Sequence, residues 1–154
     1  MRFYPFTIPD FAKFIAPNLV WQINTNGKKE IFLTFDDGPT PEVTDWVLTE
    51  LKKANAKASF FVVGENAEKY PEIIENIQGD KHSLGNHTHN HLSGYSTPTT
   101  EYLENVSKCQ LYTKTNLFRP PYGRIKKGQI EALKPHYEII MWNQLSGDFD
   151  STLN

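Results

Sequence analysis

The chain of 154 residues holds a single cysteine, Cys109, so no disulfide can form within it and its stability must come from packing. Neither sign of charge dominates: 16 Lys and Arg stand against 18 Asp and Glu, a formal net charge of −2. No basic run or patch breaks that balance, which removes the electrostatic footprint of a nucleic-acid binder. No stretch is apolar for long enough to read as a membrane-spanning helix. The opening Met1-Arg2-Phe3-Tyr4-Pro5-Phe6 carries one positive charge, but Pro5, Pro9, Asp10 and Lys13 break up any apolar signal-peptide core. These absences give a cytoplasmic location as the default expectation, and nothing in the pattern points to a protein partner.

What is present suits one folded domain. An apolar content of 38%, with 13% aromatic, is ordinary for a globular chain of a length that can bury a real core. Residues 1–28 mix aromatics and prolines without clear periodicity, and read as an irregular arm with a short helix near Pro9 to Ile15. Residues 29–154 read as the main domain. There, apolar runs alternate with helical spacing: strands are expected at Ile31–Phe35, Ala58–Val63, His82–Asn86, Leu117–Phe118 and Tyr137–Trp142. Helices are expected at Glu42–Lys53, from Pro71 to Ile77, at Thr100–Thr115 and at Lys126–Lys134. Such alternation predicts a parallel sheet and an α/β fold.

In that architecture, functional residues gather at the carboxyl ends of the strands. Asp36 and Asp37 follow the first strand, His87 and His91 the third, Arg119 the fourth, and Asp148 comes after the fifth. Two imidazoles four residues apart and one carboxylate are a plausible half-shell for a divalent cation that keeps open positions for water and substrate. The spare carboxylate is placed to act as a base. Plainer readings exist for each feature: Asp36-Asp37-Gly38-Pro39 as a hydrogen-bonded turn, Arg119 as a surface guanidinium, Asp148 and Asp150 as members of a flexible tail. Against the turn, two abutting carboxylates after a buried strand repel each other unless a cation or an arginine compensates.

Three ordered segments, Thr34 to Pro39, His87 to His91 and Arg119 to Gly123, resemble the first three motifs of the polysaccharide deacetylase family, carbohydrate esterase family four. Leu84-Gly85-Asn86 and the run Ala58 to Val63 are similar to its surroundings, and the likeness extends over roughly Glu30 to Asp150. It implies a distorted (β/α) barrel and a hydrolase that removes acetyl groups from N-acetylated or O-acetylated oligo- or polysaccharide, using a divalent metal, usually zinc. Carried over by position, Asp37, His87 and His91 would hold the metal and Asp36 would be the general base. Arg119 would pair with Asp36, and the Tyr122 backbone N–H would help hold the oxyanion. Asn86 and Thr88 would orient the histidines from behind. His89 would point away from the metal, while His82 and His136 would be structural or exposed.

The family's fourth motif corresponds to Asp148-Phe149, with Asp148 pairing with Arg119 and Phe149 forming a wall for the acetyl methyl. Pro121, Tyr122, Trp142 and Phe149 would line the substrate site, although such aromatics are equally ordinary as core residues. The family's fifth motif, a late strand whose histidine protonates the leaving amine, has no counterpart before Asn154. The expectation is therefore a barrel without its closing strands and a site without its general acid, with weak turnover. A non-catalytic sugar-binding remnant and a deacetylase of a linear non-carbohydrate amide are the competing readings.

Overall fold

The structure is a computed structural model, and it describes Thr7 and residues 16–148. Five strands form one sheet: β1 (Leu33–Asp36), β2 (Ala58–Val62), β3 (Ser83–Asn86), β4 (Leu117–Phe118) and β5 (Glu138–Ile139). They lie side by side in chain order, and each pairs in parallel with the next. Between them run α1 (Val43–Lys53), α2 (Gly64–Lys69), α3 (Pro71–Gly79), α4 (Thr99–Thr113) and α5 (Lys127–Leu133), with a 3-10 turn at Pro121–Gly123. Consecutive order with right-handed crossovers puts every helix on the same face of the sheet. That is the winding of a (β/α) barrel, in which the opposite face becomes the interior.

One side chain proves that the sheet is curled. The guanidinium of Arg119 donates to Thr34 Oγ1 on β1 at 2.8 Å and to the carbonyls of Ile140 and Met141, just beyond β5, at 3.2 and 2.9 Å. In a flat sheet those strands would stand four spacings apart, about 19 Å. A single planar group cannot span that distance.

Alternation along the strands sorts side chains between the two faces. Phe60, Val62 and Leu84 point outward and pack with Leu48, Leu51, Ile73, Ile74 and Ile77 of α1 and α3. A second outer cluster joins Tyr102 and Val106 of α4 to Phe118, Ile139, Leu133 and Leu19. Each fully buried Phe, Val or Ile of this kind stabilises the fold by about 1.5–3 kcal/mol. The inner positions carry Thr34, Asp36, Phe61, Gly85, His87 and Arg119. Of the arm, Thr7 and residues 16–28 are described: Leu19 is buried and Val20 bonds the far edge of β5, its N–H to Ile139 O and its carbonyl to Met141 N–H, both at 2.8 Å. The helix expected near Pro9 to Ile15 lies outside the described residues.

The differences from expectation have local causes. β1 starts at Leu33, not Ile31, because β2 begins only at Ala58 and offers Phe32 no partner; Ile31 and Phe32 are exposed. The last strand is two residues rather than six, since β4 beside it ends at Phe118, just before Arg119 and the prolines Pro120 and Pro121 that cannot donate to a ladder. Helix α2 was not expected. It buries only Gly64 and Ala67, so it has no amphipathic pattern to read. Among the described residues no helix is long and apolar enough to cross a membrane.

Candidate metal centre and hydrolytic site

Asp37 follows β1 in the left-handed region, with φ 69°, which turns its side chain out of line with Asp36 and toward the histidines. Its Oδ1 lies 2.9 Å from His91 Nε2 and 3.3 Å from His87 Nε2. The three donor atoms fall within 4.8 Å of one another. Two ligands bound to one zinc at about 2.1 Å and a tetrahedral angle are about 3.4 Å apart, so the spacing fits a single ion. Two imidazoles and a carboxylate also form a donor set that leaves coordination positions open. Hydrogen bonds from His87 and then His91 hold the Asp37 carboxyl well below the usual carboxylate range. Its backbone carbonyl is fixed by Asn66 Nδ2 at 2.9 Å.

His87 is buried, and its Nδ1 lies 2.7 Å from the backbone carbonyl of Arg119. A carbonyl can only accept, so Nδ1 carries a proton, and Nε2, the nitrogen facing Asp37, is the one that would offer a metal its lone pair.

Arg119 spreads its donors over four acceptors. Besides Thr34, Ile140 and Met141 it bonds Asp36 Oδ1 at 2.7 Å, and the Phe61 ring lies beneath the guanidinium at 4.1 Å. Burial pulls the Arg119 pKa down while Asp36 opposes the shift; the guanidinium stays charged. Gly85 leaves the space that Phe61 needs, because a Cβ there would stand 2.2 Å from the ring. Asp36 is thus clamped through one oxygen, while its Oδ2 takes no hydrogen bond among the described residues.

The loop between His87 and His91 is strained and strongly tied down. Thr88 has φ 62° and His91 φ 54°, a conformation that is a genuine outlier for a β-branched residue. Asn86 Oδ1 accepts from Thr88 N–H at 3.0 Å, and its Nδ2 donates to Val106 O at 2.9 Å. Thr88 Oγ1 accepts from Leu92 N–H at 3.0 Å. The first N–H groups of α2, at Gly64 and Glu65, donate to the carbonyls of Thr88 and His89 at 3.0 and 2.9 Å. Asn86 and Thr88 therefore shape the backbone rather than touch the imidazoles.

Of the other residues singled out from the sequence, Tyr122 sits beside the site with its ring 4.6 Å from that of His91. It is exposed, has φ 60°, and its N–H makes no hydrogen bond among the described residues. Pro121 is buried next to it. Trp142 packs against Gly123 and lies 5.7 Å from the Arg119 guanidinium. The pairing of Asp148 with Arg119 is not formed. Asp148 is exposed and accepts from Ser146 Oγ at 2.7 Å, and the carbonyls of Ile140 and Met141 occupy the Arg119 donors instead. Phe149 and Asp150 lie outside the described residues. His89 is buried facing Glu68 and Tyr112, away from the site; His82 is buried and accepts from Ala58 N–H, and His136 is exposed.

Thr34, Asn66 and the Arg119 carbonyl also hold the site and were not singled out from the sequence. Position alone could have flagged Thr34, which shares the inner face of β1 with Asp36. The other two act through contacts that only the folded chain creates.

A sequence profile described as polysaccharide deacetylase matches residues 23–136. Over 123 residues the chain is 38% identical to a peptidoglycan-N-acetylglucosamine deacetylase of Bacillus cereus, covering 75% of this chain and 45% of that protein. A chitooligosaccharide deacetylase of Azorhizobium caulinodans is 38% identical over 106 residues, 64% of this chain and 50% of its own length. Among solved structures, that of the Bc1960 peptidoglycan N-acetylglucosamine deacetylase superposes with a TM-score of 0.70 at 37% identity, covering 75% of this chain and 57% of the other. The chain spans about half the length of these relatives. With the profile extending over most of its residues, this chain belongs to the polysaccharide deacetylase family.

Proposed function

We propose that the chain carries the water-activating part of a metal-dependent hydrolase that removes acetyl groups from N-acetylated or O-acetylated glycans, peptidoglycan and chitin-like oligomers being the substrate classes its relatives are named for. The observation that carries this reading is the convergence of Asp37 Oδ1, His87 Nε2 and His91 Nε2 within 4.8 Å beside a carboxylate clamped by a buried arginine. Asp37, His87 and His91 would hold the divalent cation, zinc by the character of the donors, and when bound it supplies a lowered pKa for water and polarisation of the acetyl carbonyl.

The rest falls to the chain's own groups. Asp36 Oδ2 accepts the proton of the water that attacks the carbonyl carbon. Arg119 keeps that carboxylate charged and in one rotamer. The free N–H of Tyr122 donates to the oxygen that gains charge. The exposed ring of Tyr122 and the half-buried ring of Trp142 offer apolar faces to a sugar. As the C–N bond breaks, the leaving nitrogen needs a proton. Among the described residues no histidine besides His87 and His91 faces the site, which leaves Asp36 as the carboxyl placed to return that proton. This last feature favours, as the second reading, a glycan-binding protein that keeps the metal centre with little turnover.

Metal content measured together with acetate release from an N-acetylglucosamine oligomer separates the readings. One zinc per chain, lost in Asp37→Ala and His87→Ala, together with acetate release that needs it, supports the hydrolase. Zinc and glycan binding without release supports the second reading. No zinc uptake, with both variants behaving as the unaltered chain, would overturn the site.

A further inference from the structure

The stretch from His87 to His91 must hold two residues at positive φ in register with Asp37, and its backbone groups account for nearly all of the constraint. His87 N–H goes to Val62 O, Thr88 N–H to Asn86 Oδ1, and Leu92 N–H to Thr88 Oγ1. Two more donors at the centre of the turn, His89 N–H and Asn90 N–H, both end on one atom of α4: Asn105 Oδ1, at 2.7 and 2.9 Å. The same side chain returns a bond, its Nδ2 donating to Asn90 Oδ1 at 2.9 Å. Asn90 Nδ2 in turn reaches Glu65 Oε2 at 3.3 Å, on α2.

We propose that Asn105 is a positioning residue for the metal centre, holding the central turn of the ligand loop so that His87 and His91 converge on Asp37. Three observations join here. The loop is strained, and strain persists only where its surroundings over-determine it. Its Thr88 and His89 carbonyls are pinned by α2, and Asn105 on α4 supplies the matching acceptor for its N–H groups. Asn105 also stands on a 15-residue helix whose neighbouring residues Tyr102, Val106 and Cys109 are buried. The acceptor is therefore fixed by the core and not by the loop it holds. Without it, two adjacent N–H groups lose their partner, and the turn relaxes most easily by rotating about Thr88 and His91. That motion separates the two Nε2 atoms.

The proposal rests on the metal centre described above, and its test is direct titration of the apoprotein with zinc against a competing chelator near neutral pH. Asn105→Leu, close in size but with no acceptor, is expected to weaken zinc about 10- to 100-fold, the range seen when groups orienting metal ligands are removed. Asn105→Asp keeps an oxygen for both N–H groups, and Asn90 can turn its amide to donate to it. It is expected to stay within about threefold of the unaltered chain, well inside that range. Ile77→Ala, in the outer core away from the site, controls for simple loss of stability and should bind zinc as the unaltered chain does below its melting temperature. Amide exchange of the apoprotein gives a second readout: His89 and Asn90 should lose protection in Asn105→Leu but not in Asn105→Asp. Zinc affinity unchanged in Asn105→Leu, equally weakened in Ile77→Ala, or unrescued in Asn105→Asp would overturn the inference. Failure of the unaltered chain to take up zinc is a different result and would remove the metal centre itself.

Discussion

The backbone carbonyl of Arg119 lies 2.7 Å from Nδ1 of His87. The side chain of the same arginine holds Asp36 at 2.7 Å, so one residue orients the proposed metal ligand through its backbone and the proposed base through its guanidinium. The two roles can be separated. Arg119→Lys keeps the carbonyl, and zinc affinity should change little. Lysine cannot reproduce a planar fork that reaches Thr34, Asp36, Ile140 and Met141 together. Several buried acceptors then go unmatched, which should cost about 2–4 kcal/mol. Urea unfolding should show that loss, and acetate release should fall further than zinc binding.

Asp36 and Asp37 are neighbours in sequence with different partners, and their variants should fail differently. Asp36→Asn keeps the shape and retains an oxygen for Arg119, but it cannot take a proton. Zinc should still bind, while turnover falls by about 10²–10⁴-fold, the usual contribution of a general base. Asp37→Asn should lose zinc first and turnover as a consequence. Equal zinc loss in both variants would show that the roles are not divided in this way.

Gly64 sits where the ligand loop crosses α2. A Cβ there would stand 2.5 Å from His89 Nδ1 and 3.0 Å from the backbone Cα atoms of His89 and Cys109. Two of those neighbours are backbone and cannot swing aside. Gly64→Ala should therefore destabilise the chain by about 1–3 kcal/mol, the range for overpacking. It should also lower zinc affinity, because the loop yields more easily than α4. Melting temperature and zinc titration check both effects.

How much of this was legible in the sequence depended on whether the signal was local. The strand-helix alternation and the grouping of Asp37 with His87 and His91 were readable because each was carried by a short segment of distinctive residue types, while the pairing of Arg119 with Asp36 came from the family resemblance of those segments. Helix α2 was not readable, since a six-residue helix with one buried Ala leaves no periodic trace. The strand ends at Leu33 and Ile139 were set by the length of the neighbouring strand. Asp148 was assigned to Arg119 on motif position, but the carbonyls of Ile140 and Met141 took those donors. Asn105 lies on a helix 14 residues beyond His91, where an asparagine on a half-exposed face looks like any other polar residue.

Cys109 offers a pH-dependent check on the core of α4. It is buried, and burial pushes its thiol up to about 12 from an ordinary value of 9.0. The native thiol stays protonated while the thiol of the unfolded chain ionises above about 8.5. The unfolded state then binds fewer protons, so stability should fall as pH rises from about 9 toward 12. The urea midpoint should drop across that window and drop less in Cys109→Ala. At mildly alkaline pH a thiol reagent should modify Cys109 only after unfolding.

The choice between ester and amide substrates follows from the leaving group. Once water has added to the acetyl carbon, an alkoxide can depart unassisted, whereas an amine anion cannot and its nitrogen must be protonated first. Among the described residues, the carboxyl placed to supply that proton is Asp36, which in the proposed reaction has just received one from the water. His89 faces Glu68, His82 and His136 are remote, and Asp148 meets Ser146. General-acid assistance contributes about 10²–10⁴-fold where it operates. This chain should therefore release acetate from an O-acetyl sugar or a simple acetate ester faster than from an N-acetylglucosamine oligomer, and zinc removal should abolish both activities. If the amide is cleaved as fast as the ester, a proton donor reaches the site from outside the described residues.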